Sequence, residues 1–130
     1  MNWIILTTAI LFNVFQASLE AWANKFHPVL NGVFRRFNIL LAIVYFILWA
    51  VIVHFIPNEI PYWKLFFGYW FIAFLVSDTA WNLTTILLGT KISIWYYGTT
   101  KRYDRIMTKL GSYGWFVKGV LGIVGIVFLL

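Results

Sequence analysis

Apolar residues run through this chain in four long stretches separated by short polar intervals. The first covers residues 3–23 and stays uncharged as far as Glu20. The second, residues 37–56, carries no formal charge. The third, residues 63–89, holds Asp78 near its middle, and the fourth, residues 113–130, holds Lys118. A helix needs about 20 mainly apolar residues to cross a bilayer. The pattern therefore predicts an all-α polytopic membrane protein, a single membrane domain over 1–130 with four transmembrane helices. Pro57 and Pro61 bracket a turn between the second and third stretches, where a helix should stop.

A shorter pattern lies between the third and fourth stretches. Tyr103, Ile106, Met107 and Leu110 recur at i, i+3, i+4 and i+7, which puts them on one helical face. Lys101, Arg102, Asp104, Arg105, Thr108 and Lys109 take the other face. Residues 100–110 are thus expected to form an amphipathic helix in the cytoplasmic interface, preceded by the aromatic run Trp95-Tyr96-Tyr97. Its Lys101, Arg102, Arg105 and Lys109 would meet anionic lipid headgroups, each contributing about 1 kcal/mol near the surface.

Charge between the stretches sets the orientation. Residues 24–36 carry Lys25, Arg35 and Arg36, and residues 90–109 carry five basic side chains against Asp104. The turn at 57–62 has only Glu59, with Lys64 just beyond it. The positive-inside rule makes both basic segments cytoplasmic and both termini external. A rival reading takes residues 3–15 as the h-region of a secretory signal cleaved at Ala21-Trp22-Ala23; the lack of an early basic residue and the presence of Asn13 and Gln16 count against it.

Composition agrees with lipid as the main solvent. The 130 residues are 62% hydrophobic, 22% aromatic and 11% charged, whereas soluble domains carry about 25% charged residues. A chain this short could not enclose so much apolar surface in one core. Its net charge of +6 sits at the ends of the spans, which points to a membrane surface and not to nucleic acid. There is no cysteine, so disulfide and thiolate chemistry are excluded.

Asp78 is costly in such a place, about 2.5–3.5 kcal/mol at the centre of a span, so it should face protein or a wet cavity. Asn82, Thr85 and Gly89 continue its stripe, and the first span offers Asn13, Gln16, Glu20 and Asn24. With cytoplasmic edges at Asn24 and Thr90, Asn13 and Asp78 both lie ~16–18 Å deep, Gln16 and Asn82 ~12 Å, and Glu20 and Thr85 ~6–8 Å. The stripes match rung for rung. In the fourth span Gly114, Lys118, Gly122 and Gly125 share one face, where small residues permit close helix approach. At ~9 Å deep, Lys118 is expected to pair with Glu20, leaving Asp78 to Asn13 and Asn82. These groups either fix helix register or line an ion or proton path.

Other candidate chemistry is thin. His54 and Glu59 make at most two ligands across a proline turn, and His27 beside Pro28 suits an interface better than a metal. The Asn82-Leu83-Thr84 sequon lies inside a span, and the C-terminal glycines lack a phosphate-loop arrangement. Neither histidine has a nucleophile beside it. The expectation is a protein that is not an enzyme and takes no cofactor.

The order Asp78, Trp81-Asn82, Tyr97-Gly98-Thr99-Thr100, Asp104-Arg105 resembles small uncharacterised multi-pass membrane proteins of Bacteroidota genomes, prophages and phages. The likeness covers about a quarter of the chain. It implies a phage or prophage setting, with the bacterial inner membrane or a phage-associated membrane as the location. Three roles are open: a structural or interaction component, a holin-like permeabiliser that assembles laterally, and a small channel or proton-linked transporter using Glu20 and Asp78. Possible partners are the bilayer, a second copy or another membrane protein.

Overall fold

The computed structural model describes residues 2–96 and 102–130, with the side chains of 102–104 outside that description. Its elements are helices: α1 (Trp3–Phe26), α2 (Pro28–Arg36), α3 (Asn38–His54), α4 (Tyr62–Leu87), α5 (Arg102–Leu110) and α6 (Ser112–Leu129). Local chemistry sets the breaks. His27 takes φ −136° and ψ 83°, outside the helical region that proline disfavours in the residue before it, and its Nδ1 accepts the Leu30 N–H at 3.0 Å to cap α2. Between α3 and α4, Asn58 donates to the Ile56 carbonyl at 2.8 Å and accepts the Ile60 N–H at 3.1 Å. The turn between Pro57 and Pro61 is held by that one side chain. Gly89 ends α4 at φ 93°, which lets the Thr90 N–H reach back to the Thr85 carbonyl at 3.2 Å.

Central in the bundle, α4 runs antiparallel to α6. Gly68 lies against Leu129, Ile72 against Gly125 and Leu75 against Gly122. Its other side runs parallel to α1, with Ser77 bonded to Asn13 and Thr84 to Ser18. Antiparallel to α1, α3 is joined through Trp49 Nε1, which donates to Thr8 Oγ1 at 3.1 Å. The Asn2 side chain donates to the Leu130 carbonyl at 3.0 Å. Both termini and the 55–61 turn therefore share one end of the bundle, the terminal end. The opposite, basic end carries α2, the segment after α4 and the start of α6.

Several polar side chains are buried in the molecule while many large apolar ones are exposed. Lys118, Asn13 and Asn82 are no more than 2% exposed, whereas Ile39, Phe55, Ile123 and Val127 are all above 60%. That inversion suits lipid as the surrounding solvent. Among the described residues, α1, α4 and α6 are each long and apolar enough to cross a membrane, and α2 with α3 passes only as a pair bent by 82°. Alone, α3 has 17 residues, about 25 Å, against the 20 expected from the sequence. The difference is one residue at the bend, Phe37, and two before Pro57, Phe55 and Ile56.

Candidate functional site

Polar side chains gather along the two faces of α4, on the basic half of the bundle. The α4–α6 face is built on glycine. Gly125 and Gly122 let α6 close on Ile72 and Leu75, and this close approach carries Lys118 into contact with Asp78 one turn further on. The two form an ion pair, with the lysine 1% and the aspartate 33% exposed. Lys118 Nζ also stands 4.7 Å from the Trp115 ring centre, a cation–π contact that holds the side chain in the seam. Gly114 is buried one turn before it.

Lys118 thus meets Asp78, and the expected Glu20–Lys118 pair is replaced. The reason is axial. With Leu75 level with Gly122 and Asp78 level with Lys118, Ser112 lies opposite residues 84–85 of α4. That start is ~8 Å below the Thr90 edge from which the α4 depths are counted. Lys118 is therefore ~17 Å deep on the same scale, level with Asp78.

Asp78 is also not held by Asn13 and Asn82. Asn13 Oδ1 accepts from Ser77 Oγ at 3.2 Å, and its amide donates to the Ala9 carbonyl at 2.9 Å. Bonds from α1 to α4 and its C-cap Leu88 link residues 63, 64 and 66 apart, near the offset that aligned the two stripes. The α4 face turned to α1 is nevertheless that of Ser77, Ala80 and Thr84, one residue or about 100° around from Asp78. Gln16 and Glu20 stay together on α1, with Gln16 Nε2 donating to Glu20 at 3.4 Å. At the basic end Lys25 donates to the Leu88 carbonyl. Thr85 Oγ1 is buried with no hydrogen-bond partner among the described residues.

Asn82 has a different task. Its amide donates to the carbonyls of Ile94 at 2.7 Å and Tyr96 at 2.8 Å. It draws residues 90–96 back over the end of the seam, where Tyr96 stacks on Trp81 and the Trp115 indole donates to the Trp95 carbonyl at 2.8 Å. Asn82→Ala removes both amide bonds and should cost about 1–3 kcal/mol. Limited proteolysis checks this: the variant is expected to be cut within 90–96 well before the parent. Equal cutting would mean that the segment is held without Asn82.

Of the basic face, Arg105 and Lys109 are exposed on α5; Lys101 and the Arg102 side chain lie outside the described residues, as do residues 97–100. Ile106 and Leu110 are exposed beside them, while Met107 is buried. A cavity of about 350 Å³ at the terminal end is lined mainly by apolar groups, including Trp49, Val53, Ile60 and Leu65.

The α1 face turned to α4 is marked in the sequence by small residues and not by the polar stripe. Ala9, Asn13, Ala17 and Ala21, four apart, are all buried, a spacing of small residues that marks close helix contact. Ser77, Ala80 and Thr84 are its counterpart on α4. Compared with known proteins, the chain matches no family model, no curated protein and no solved structure.

Proposed function

We propose that this chain is a small multi-pass membrane protein acting as a structural or interaction component of a bilayer. In this reading it has four spans, α3 being the second, with both termini outside and α5 at the cytoplasmic interface. It has no catalytic role. One observation carries the reading. The Asp78–Lys118 pair sits in a glycine-packed seam, and the half of the bundle beyond it is filled by Ile5, Leu6, Ala9, Trp49, Val53, Tyr69, Ile72 and Leu129, all buried together. An ion path needs polar or wet surface through the whole thickness of the barrier. Here the polar ladder gives way to side-chain packing about halfway.

Gly122 and Gly125 are used up within the monomer, against Leu75 and Ile72. This counts against a holin-like protein that assembles through that face. The ion-path alternative draws on a different observation: a third of the Asp78 side chain stays accessible. The resemblance of residues 78–105 supports a phage or prophage setting and a bacterial inner membrane.

Induced expression in a bacterial host tests these readings, with a potential-sensitive dye followed alongside optical density. A structural component leaves the potential intact at high expression. Rapid depolarisation followed by lysis would instead support the holin-like reading, and depolarisation without lysis an ion path.

A further inference from the structure

The segment between α1 and α3 carries a pattern of its own. Within α2 and the residue after it, Val29, Leu30, Val33, Phe34 and Phe37 fall on one arc, while Asn31, Gly32, Arg35 and Arg36 fall on the other. The apolar arc is only half used by the bundle. Leu30 and Phe34 are partly buried, whereas Val29, Val33 and Phe37 are exposed, Val29 at 75%. No α2 residue is buried.

Geometry says what covers the rest. The axis of α2 turns 82° from α3. With α3 upright in a bilayer, α2 lies nearly parallel to the membrane plane. Its ends are tied to α1 through His27 and to α3 through Phe37, so it cannot leave the depth at which those helices emerge. Three cations collect at this level. The Arg35 guanidinium is held at the end of α1 by the Asn24 side-chain oxygen at 3.5 Å. Lys25, next to Asn24, donates to the Leu88 carbonyl, and the Arg36 guanidinium carbon stands 5.5 Å from the Phe37 ring centre. Each side chain keeps donors to spare, since a guanidinium has five and an ammonium three.

We infer that α2 is an interfacial anchor that sinks Val29, Val33 and Phe37 into one leaflet and takes the phosphates of anionic lipids through Lys25, Arg35 and Arg36. Chemistry of both kinds is needed for a helix of this sort to hold to a surface: buried apolar area and attraction to anionic headgroups. The inference rests on the membrane reading of α1 and α3.

The absence of cysteine makes the test clean. Single cysteines are placed at Val33, Gly32 and Leu48, labelled with an environment-sensitive dye, and studied in nanodiscs of mixed anionic and zwitterionic phospholipid. Gly32 has open space around a new Cβ, so the substitution is tolerated. Leu48, exposed on α3, reports whether the span itself is in lipid. The expected result is quenching at Val33 by headgroup-level nitroxide lipids, quenching at Gly32 by aqueous iodide, and quenching at Leu48 by deep nitroxides. In parallel, Arg35→Gln with Arg36→Gln should weaken the preference for anionic over zwitterionic lipid by about tenfold to thirtyfold. If iodide reaches Val33 as readily as Gly32, α2 is not in the leaflet and the inference is wrong. A Val33 label shielded from both quenchers would also overturn it, pointing to a protein contact or a second copy. If Leu48 escapes the deep nitroxides, the membrane reading fails and takes this inference with it.

Discussion

Asp78→Asn is expected to destabilise the bundle by about 3–5 kcal/mol, the range for removing one partner of a buried ion pair. Lys118→Met should cost less. The asymmetry comes from burial: the lysine is 1% exposed and the aspartate 33%. Without Asp78 the ammonium is enclosed by α4, α6 and the Trp115 ring. Without Lys118 the less enclosed carboxylate has room to change rotamer. The double variant, Asp78→Asn with Lys118→Met, should recover much of the loss, because no uncompensated buried charge remains. Unfolding of the purified proteins in mixed micelles by added sodium dodecyl sulfate gives all three values. Equal losses in the two single variants would mean that the pair is not buried as described.

The second large effect is steric. A Cβ on Gly125 would stand 2.9 Å from the Gly68 carbonyl oxygen, 2.9 Å from Ile72 Cγ1 and 3.0 Å from the Ile72 backbone nitrogen. Two of those atoms are main chain and cannot turn aside, so Gly125→Ala forces α4 and α6 apart. The expected cost is about 1–3 kcal/mol, the usual range for overpacking, and the loss should spread to the Asp78–Lys118 contact two turns away. Gly122→Ala meets the Leu75 side chain, with Cδ2 at 2.6 Å, and should cost less because that end can move. Gly119→Ala has nothing within 4 Å and should be neutral, or stabilising by up to about 1 kcal/mol. The same unfolding assay ranks the three. Equal effects at Gly125 and Gly119 would contradict the close seam.

Much of the architecture was legible because lipid imposes a simple pattern. Long apolar runs bounded by Pro28, Pro57, Pro61 and Gly89 have few alternatives to helices that start or stop near them. The candidate site was legible in composition but not in pairing. Asn13, Asp78, Asn82 and Lys118 stand out as polar groups in apolar runs, but depth counted from assumed edges leaves two quantities open. One is where α6 starts relative to α4, which Gly111 and the packing of Gly122 and Gly125 set. The other is rotation about each axis: one residue, about 100°, separates Ser77 from Asp78. The alanines at 9, 17 and 21 carried that rotational information and outweigh the polar stripe of Gln16 and Glu20, because close helix contact selects small residues before polar ones. The helix α2 carries its own signal beside its basic residues: Leu30, Val33, Phe34 and Phe37 have the same spacing that identifies residues 100–110.

In the proposed reading the buried charges hold helices together and conduct nothing. Proton entry into liposomes tests it most directly. The purified protein is reconstituted with an internal pH-sensitive dye, and a potassium diffusion potential, negative inside, is imposed. The account predicts acidification no faster than in empty liposomes, for the parent and for the fraction of Asp78→Asn that reconstitutes folded. Rapid acidification by the parent, abolished by Asp78→Asn, would contradict it and make Asp78 part of a path.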